Sequence, residues 1–155
     1  MKNLYHSDIY KFDIPVSSYW EDISSEKLNF KKLTQDTNSE IVVIGGGYTG
    51  LLCAINLIEK HNLDVILVEA GKIGWGASSR NAGFNCLPPS KMSFKKMQSI
   101  YGVEETKRFF KNSVAGSNYT RDIIKEFNID CDVTGESNYV VAHHKSKFEQ
   151  IKEQA

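Results

Sequence analysis

Apolar residues are spread unevenly along this chain, and their spacing changes abruptly at position 45. Residues 41–44 (Ile-Val-Val-Ile) form a continuous β-branched run, the pattern of a strand buried on both faces of a parallel sheet. Gly45, Gly46 and Gly47 interrupt it, and Gly50 follows three residues after Gly47. Leu51, Ala54, Ile55 and Ile58 then recur at i, i+3, i+4 and i+7, which places them on one face of a helix. His61-Asn62 closes that helix, because Asn tolerates a left-handed turn. Residues 65–68 (Val-Ile-Leu-Val) are a second apolar run, ended by Glu69. Together these segments predict a βαβ unit.

Upstream, residues 1–40 are polar and mixed, and read as an arm leading into that unit. Pro15 favours extended backbone just before it. Tyr19 and Trp20 are expected to anchor the arm as two aromatics packing a loop. Residues 27–39 show little periodicity and read as a surface connection. Downstream, Pro88-Pro89 ends a glycine-rich stretch, and residues 93–101 predict a short helix closed by Gly102. Residues 103–127 predict a longer helix, with Phe109, Phe110, Val114, Ile123, Ile124 and Phe127 roughly on one broad face. Its middle is small (Ser113, Ala115, Gly116, Ser117), as helix packing requires. Residues 129–133 and 139–143 read as short strands around a polar turn at 134–138. Ser146 to Glu149 have capping-box form and begin a last helix. The expected domains are an arm (1–40), a dinucleotide-binding domain (41–130) and, from 131 to 155, the start of a second sheet.

Composition narrows the picture. The 155 residues, 41% of them hydrophobic, suit one domain able to bury a real core, at ~100–200 residues per domain. Nineteen basic side chains balance nineteen acidic ones, so no charge footprint points to nucleic acid or an anionic membrane. Cys53, Cys86 and Cys131 are widely spaced and form no C-x-x-C pair or metal pattern, so no metal site is expected. Cys53, within the first helix, is expected to be a buried small hydrophobe. Residues 1–10 carry charges and no apolar signal core. Residues 41–58 contain no charge, but their four glycines argue against a spanning helix, which needs ~20 mostly apolar residues in one helix. A soluble, cytoplasmic protein without a transmembrane segment is the expectation. His143 and His144 would face opposite sides of a strand, and His6 and His61 are isolated, so no catalytic role is assigned to any of them.

The chemistry lies in the βαβ unit. Gly45 to Gly50 complete G-x-G-x-x-G between a strand and a helix. Gly45 permits the tight turn, Gly47 lets a pyrophosphate approach the backbone, and Gly50 lets the helix pack closely. Free N–H groups near Tyr48 and Thr49, with the helix dipole, favour phosphate there. Glu69 lies 19 residues after Gly50, near the ~20 expected for the acid that binds the adenosine ribose. Its carboxylate would repel a 2′-phosphate, which disfavours NADP. These residues leave FAD and NAD both open. The stretch from Ala70 to Gly83 is rich in Gly, Ala and Ser and can lie against a ligand while offering N–H groups. Within it, Arg80 could pair with a phosphate or stack on a ring, and Asn81 can donate and accept.

Residues 41–57 (IVVIGGGYTGLLCAINL) and 65–84 (VILVEAGKIGWGASSRNAGF) resemble the FAD-dependent oxidoreductases of the D-amino-acid oxidase and glycine oxidase superfamily. The resemblance is nearest to its gamma-glutamylputrescine oxidase-like branch. Ser18-Tyr19-Trp20, the G-Y-T-G turn at residues 47–50 and the G-x-G-A-S-x-R-N-x-G segment at residues 74–83 carry it, with residues 101–105 and 128–132 in support. It implies a Rossmann-like α/β fold and FAD held by Gly45, Gly46, Gly47, Tyr48, Thr49, Gly50, Glu69 and Ala70. Ser78, Arg80, Asn81, Ala82 and Gly83 would run along the pyrophosphate towards the flavin. It further implies oxidation of a C–N bond in a small amine or amino acid, with hydride passed to flavin and electrons to O2 or another acceptor. NAD-dependent dehydrogenation and non-catalytic dinucleotide binding are the alternatives. The chain departs from the pattern at Ala82, where many relatives have glycine, and at Ser79, where glycine is frequent. Relatives are considerably longer, so the chain is expected to be an N-terminal part, inactive alone, with its catalytic residues unassigned.

Overall fold

The computed structural model describes residues 4–15, 17–24, 28–87, 92–135, 137 and 139–152. They fall into two compact units, Met1–Ala82 and Gly83–Ala155. Pro88 and Pro89, with Glu136 and Asn138 of the expected 134–138 turn, lie outside the described residues.

The first unit is built on the βαβ motif. Strands β1 (Ile41–Ile44) and β2 (Val65–Val68) pair in parallel, with Ile41 opposite Val65 and Ile44 opposite Val68. Between them runs α2 (Tyr48–His61). Its C-cap Asn62 adopts φ 51° and returns its N–H to the carbonyls of Ile58 and Leu57, the left-handed close anticipated from its side chain. Helix α2 packs on both strands and buries Ala54, with Leu51 and Ile55 half-covered, while Ile58 is exposed. The expectation that β1 is covered on both faces is corrected. Val42 and Ile44 are 55% and 86% exposed, because α2 covers one face and no other described element covers the second. Cys53 is likewise exposed rather than buried.

Ahead of β1, Ser18 caps the short helix α1 (Tyr19–Ile23), its Oγ accepting from the Glu21 amide at 3.1 Å. A 3-10 turn spans Ser7–Tyr10. The described part of 27–39 is irregular and mostly exposed, as expected of a surface connection.

The second unit centres on α3 (Phe94–Tyr101) and α4 (Val103–Glu126), which pack against each other. Ser93 caps α3, and Gly102 at φ 83° separates the two helices. Met97 is 5% exposed, Thr106 is 1% exposed, and the Phe94 and Phe110 rings meet at 5.4 Å. Thr106 is satisfied by donating its hydroxyl to the Gly102 carbonyl at 2.8 Å, as a buried polar group must be. Burial of a side chain the size of Met97 is worth about 1.5–3 kcal/mol. Among the described residues only Ala54 and Met97 are buried hydrophobics, a thinner core than the composition promised.

The two strands expected at 129–133 and 139–143 do not form among the described residues. Asp132 and Gly135 take φ 49° and 74°, which breaks extended backbone, and no described strand lies alongside to pair with it. Val140 and Val141 are largely exposed instead. The start of the last helix is corrected by one residue, to Phe148. A 3-10 turn at Lys145–Lys147 precedes α5 (Phe148–Lys152), and the His144 ring accepts from the Ser146 amide where Ser146 itself was expected to cap. No helix among the described residues is long and apolar enough to cross a membrane.

Candidate cofactor-binding site

The glycine turn joins the end of β1 to the start of α2. Gly45 takes φ 106° and donates its N–H to the Val68 carbonyl at 2.8 Å, so the turn begins pinned to β2. A Cβ on Gly50 would overlap the Gly45 carbonyl oxygen and touch Val43 at 3.4 Å. Gly50 is thus what brings the helix start against the turn. The amide of Leu51 is taken by the Gly47 carbonyl and that of Tyr48 by Ser78 Oγ, at 2.9 and 3.0 Å. No hydrogen bond among the described residues engages the amides of Gly47, Thr49 and Gly50. Three backbone donors are therefore left unengaged at the start of a fourteen-residue helix, where the helix dipole favours an anion such as a pyrophosphate.

Glu69 closes the other side. Its Oε2 accepts from the Gly46 amide at 2.6 Å and its Oε1 from the Gly71 amide at 2.9 Å. Each carboxylate oxygen retains a second acceptor position, free for a ribose hydroxyl. The two amides fix the carboxylate's orientation.

The segment after β2 folds back over the turn. Gly74 donates to the Gly46 carbonyl at 2.9 Å. Residues 77–79 make a 3-10 turn that presents Ser78 to the helix start. Asn81 Nδ2 donates to the carbonyls of Ala77 and Ser78 at 3.1 and 2.9 Å, locking that turn. Arg80 stacks on Trp75, 4.4 Å from the ring centroid, which realises the ring-stacking option on the protein's own indole.

Of the residues singled out from the sequence, Gly45, Gly46, Gly47, Tyr48, Thr49, Gly50, Glu69 and Ser78 are brought together. Ala70 is exposed beside Glu69. Arg80, Asn81 and Ala82 lie farther along the same loop, and Gly83 opens the second unit at φ 73°. Sequence reasoning placed Gly46 among the residues holding FAD but gave no packing reason for a glycine there, and its Cβ would fall 2.5 Å from Ile73 Cδ1. It also passed over Gly71, whose Cβ would crowd Trp75 and the Phe12 carbonyl at 3.2–3.3 Å. The available signal was a glycine two residues after the strand-ending acid.

Residues 40–155 match the family of FAD dependent oxidoreductases. The chain belongs to that family. It is similar to a Gamma-glutamylputrescine oxidoreductase of Escherichia coli (strain K12), with 31% identity over 139 residues, which are 88% of this chain and 32% of that protein. It is also similar to a Probable oxidoreductase OrdL of Haemophilus influenzae, at 28% identity over 76% of this chain and 27% of that protein. A Putative Rieske 2Fe-2S iron-sulfur protein YhfW of Bacillus subtilis is 23% identical over 86% of the chain and 26% of that protein. The chain thus spans about a third or less of the length of these curated relatives. No solved structure matches it significantly.

The family's cofactor is FAD, and the site fits it. A diphosphate needs backbone donors and room without side chains, which the unengaged amides and the glycine turn offer. A ribose needs an oriented acceptor, which Glu69 provides.

Proposed function

We propose that the chain is the FAD-holding part of an oxidoreductase that oxidises the C–N bond of a small amine or amino acid. The observation that carries this reading is the similarity to the Escherichia coli Gamma-glutamylputrescine oxidoreductase, which runs through 88% of the chain. Bound flavin would supply the hydride acceptor and pass electrons to O2 or another acceptor.

The chain's own residues hold and orient. The amides of Gly47, Thr49 and Gly50 would bind the pyrophosphate, with the α2 dipole adding to the attraction. Glu69 would bind the adenosine ribose hydroxyls. Ser78 Oγ, which accepts from the Tyr48 amide at 3.0 Å, would share that amide with a bound phosphate or yield it. The loop through Arg80, Asn81, Ala82 and Gly83 would follow the cofactor towards its flavin end.

The test is a titration of the purified chain with FAD, then anaerobic addition of gamma-glutamylputrescine and a panel of amines and amino acids. The expected result is flavin that stays with the chain through desalting but is bleached by no amine there, the chain spanning about a third of its relative's length, while the same panel bleaches flavin in a version extended to that length. An extended version whose flavin is bleached by none of the panel would overturn the amine reading, and a chain that retains no flavin would overturn the site.

A further inference from the structure

The N-terminal arm and the loop after β2 are joined by two indole hydrogen bonds that run in opposite directions. Trp20 of the arm donates Nε1–H to the carbonyl of Asn81 in the loop, at 2.7 Å. Trp75 of the loop donates Nε1–H to the carbonyl of Ile14 in the arm, at 3.3 Å. Phe12 meets Trp75 edge-on at 5.1 Å, and Lys72 pairs with Glu21 at 2.8 Å. At Gly71 the two backbones come close, since a Cβ there would press on the Phe12 carbonyl and on Trp75.

Between these arm contacts lies the part of the loop that touches the glycine turn. Gly71 donates to Glu69, Gly74 to Gly46, and Ser78 accepts from Tyr48. A loop of glycine, alanine and serine has little side-chain packing to order it, and glycine loses more backbone freedom on ordering than any other residue. Beyond the bonds of Asn81 to Ala77 and Ser78 its order comes from outside, and the two indoles tie it to the arm at its middle, Trp75, and at its far end, Asn81.

We propose that Trp20 and Trp75 are positioning residues that hold residues 71–81 against the glycine turn, so that retention of FAD depends on the N-terminal arm. The proposal rests on the reading of residues 45–81 as the FAD site. The indoles act through Ser78 and Glu69, which meet the cofactor. They hold the loop in its bound form beforehand and spare the ligand the entropy of ordering it.

Hydrogen–deuterium exchange on the whole chain without FAD, followed by FAD titration, tests this. Trp20→Phe and Trp75→Phe keep an aromatic ring and delete the N–H. Each is expected to speed exchange at residues 71–82, and to raise the Kd for FAD, by about two- to tenfold, the equivalent of one neutral hydrogen bond. Exchange in α4 should not change, and Tyr19→Phe should alter neither readout. In a Ser78→Ala background Trp20→Phe should weaken FAD binding less than it does alone, which a general loss of structure would not produce. Should either indole variant fail to fold, Gly71→Ala leaves both indoles in place, crowds the arm off the loop and should have the same effects. Unchanged loop exchange, or faster exchange with unchanged FAD affinity, overturns the proposal. A wild-type chain that takes up no FAD removes the site reading and this proposal with it, whereas normal uptake by both indole variants removes only the proposal.

Discussion

Glu69 does two things at once, and substitutions separate them. Its carboxylate holds the Gly46 and Gly71 amides, and it is the proposed ribose acceptor. Glu69→Ala therefore leaves two amides without their partner and removes the ribose contact. Hydrogen bonds to a charged group are worth about 1.5–3 kcal/mol each, so a loss of FAD affinity of at least tenfold is expected, together with a lower unfolding midpoint before any FAD is added. Glu69→Gln keeps one acceptor oxygen and should fall between. Fluorescence titration with FAD and a ligand-free melt read the two effects, and an unaltered Kd in Glu69→Ala would end the ribose assignment. Gly47 carries a different constraint from the one its place in the motif implies. Its backbone is extended at φ −90°, so a side chain is not strained by the turn, but its Cβ would fall 2.8 Å from Ser78 Oγ. Gly47→Val should abolish FAD retention by displacing Ser78 as well as by filling the phosphate's space, and Ser78→Gly in the same chain should restore part of it. Full retention in Gly47→Val would contradict both. Gly45, Gly47 and Gly50 were legible from their spacing between a strand and a helix, and Gly50 is required by its near neighbour, the Gly45 carbonyl. The need for glycine at positions 46 and 71 was not legible, because what crowds them (Ile73, Trp75 and Phe12) is set by how the loop and arm fold back.

At the level of elements, the ends of helices were written in local chemistry. Asn62, Ser93 and Gly102 each act within a few residues of themselves, and each stands where the sequence pattern put it. Asn62→Ala must place a Cβ-bearing residue without a compensating polar group at φ 51°, at a cost of about 1–2 kcal/mol. Asn62→Gly should be close to neutral. Ser93→Ala removes the acceptor of the Lys96 amide and should cost about 1 kcal/mol. Urea unfolding of the three variants orders them, and equal stability of Asn62→Ala and wild type would show that the left-handed close carries no cost. Strands at 129–133 and 139–143 were not legible in the same way. A helix satisfies its own backbone, whereas a strand exists only beside a partner, so alternating side chains predicted an element that the described residues do not pair. The strands β1 and β2 were predicted correctly because the helix between them brings them side by side.

For the whole molecule, the balance is between a thin core and a ligand that ties distant segments together. Ala54 and Met97 are the buried hydrophobics among the described residues, and Ile44 is 86% exposed in the central strand pair. Such a chain is expected to be marginally stable, since hydrophobic burial is the main favourable term against chain entropy. The unit Met1–Ala82 is held in large part by polar links between its arm, its loop and its turn: Trp20 to Asn81, Trp75 to Ile14, Glu69 to Gly46 and Gly71, Ser78 to Tyr48. FAD bound across the turn and loop should stabilise this folded arrangement by mass action, by about 2.7 kcal/mol at a hundred times its Kd. For a chain of this size that corresponds to a rise in Tm of roughly 5–10 °C. The control is NADP, which the Glu69 carboxylate should repel through its 2′-phosphate, and which should give little or no shift at the same concentration. Differential scanning fluorimetry with each nucleotide measures this. An equal rise with NADP would mean that Glu69 does not face the ribose, and a rise with neither would mean that the free amides at the start of α2 are not a diphosphate site.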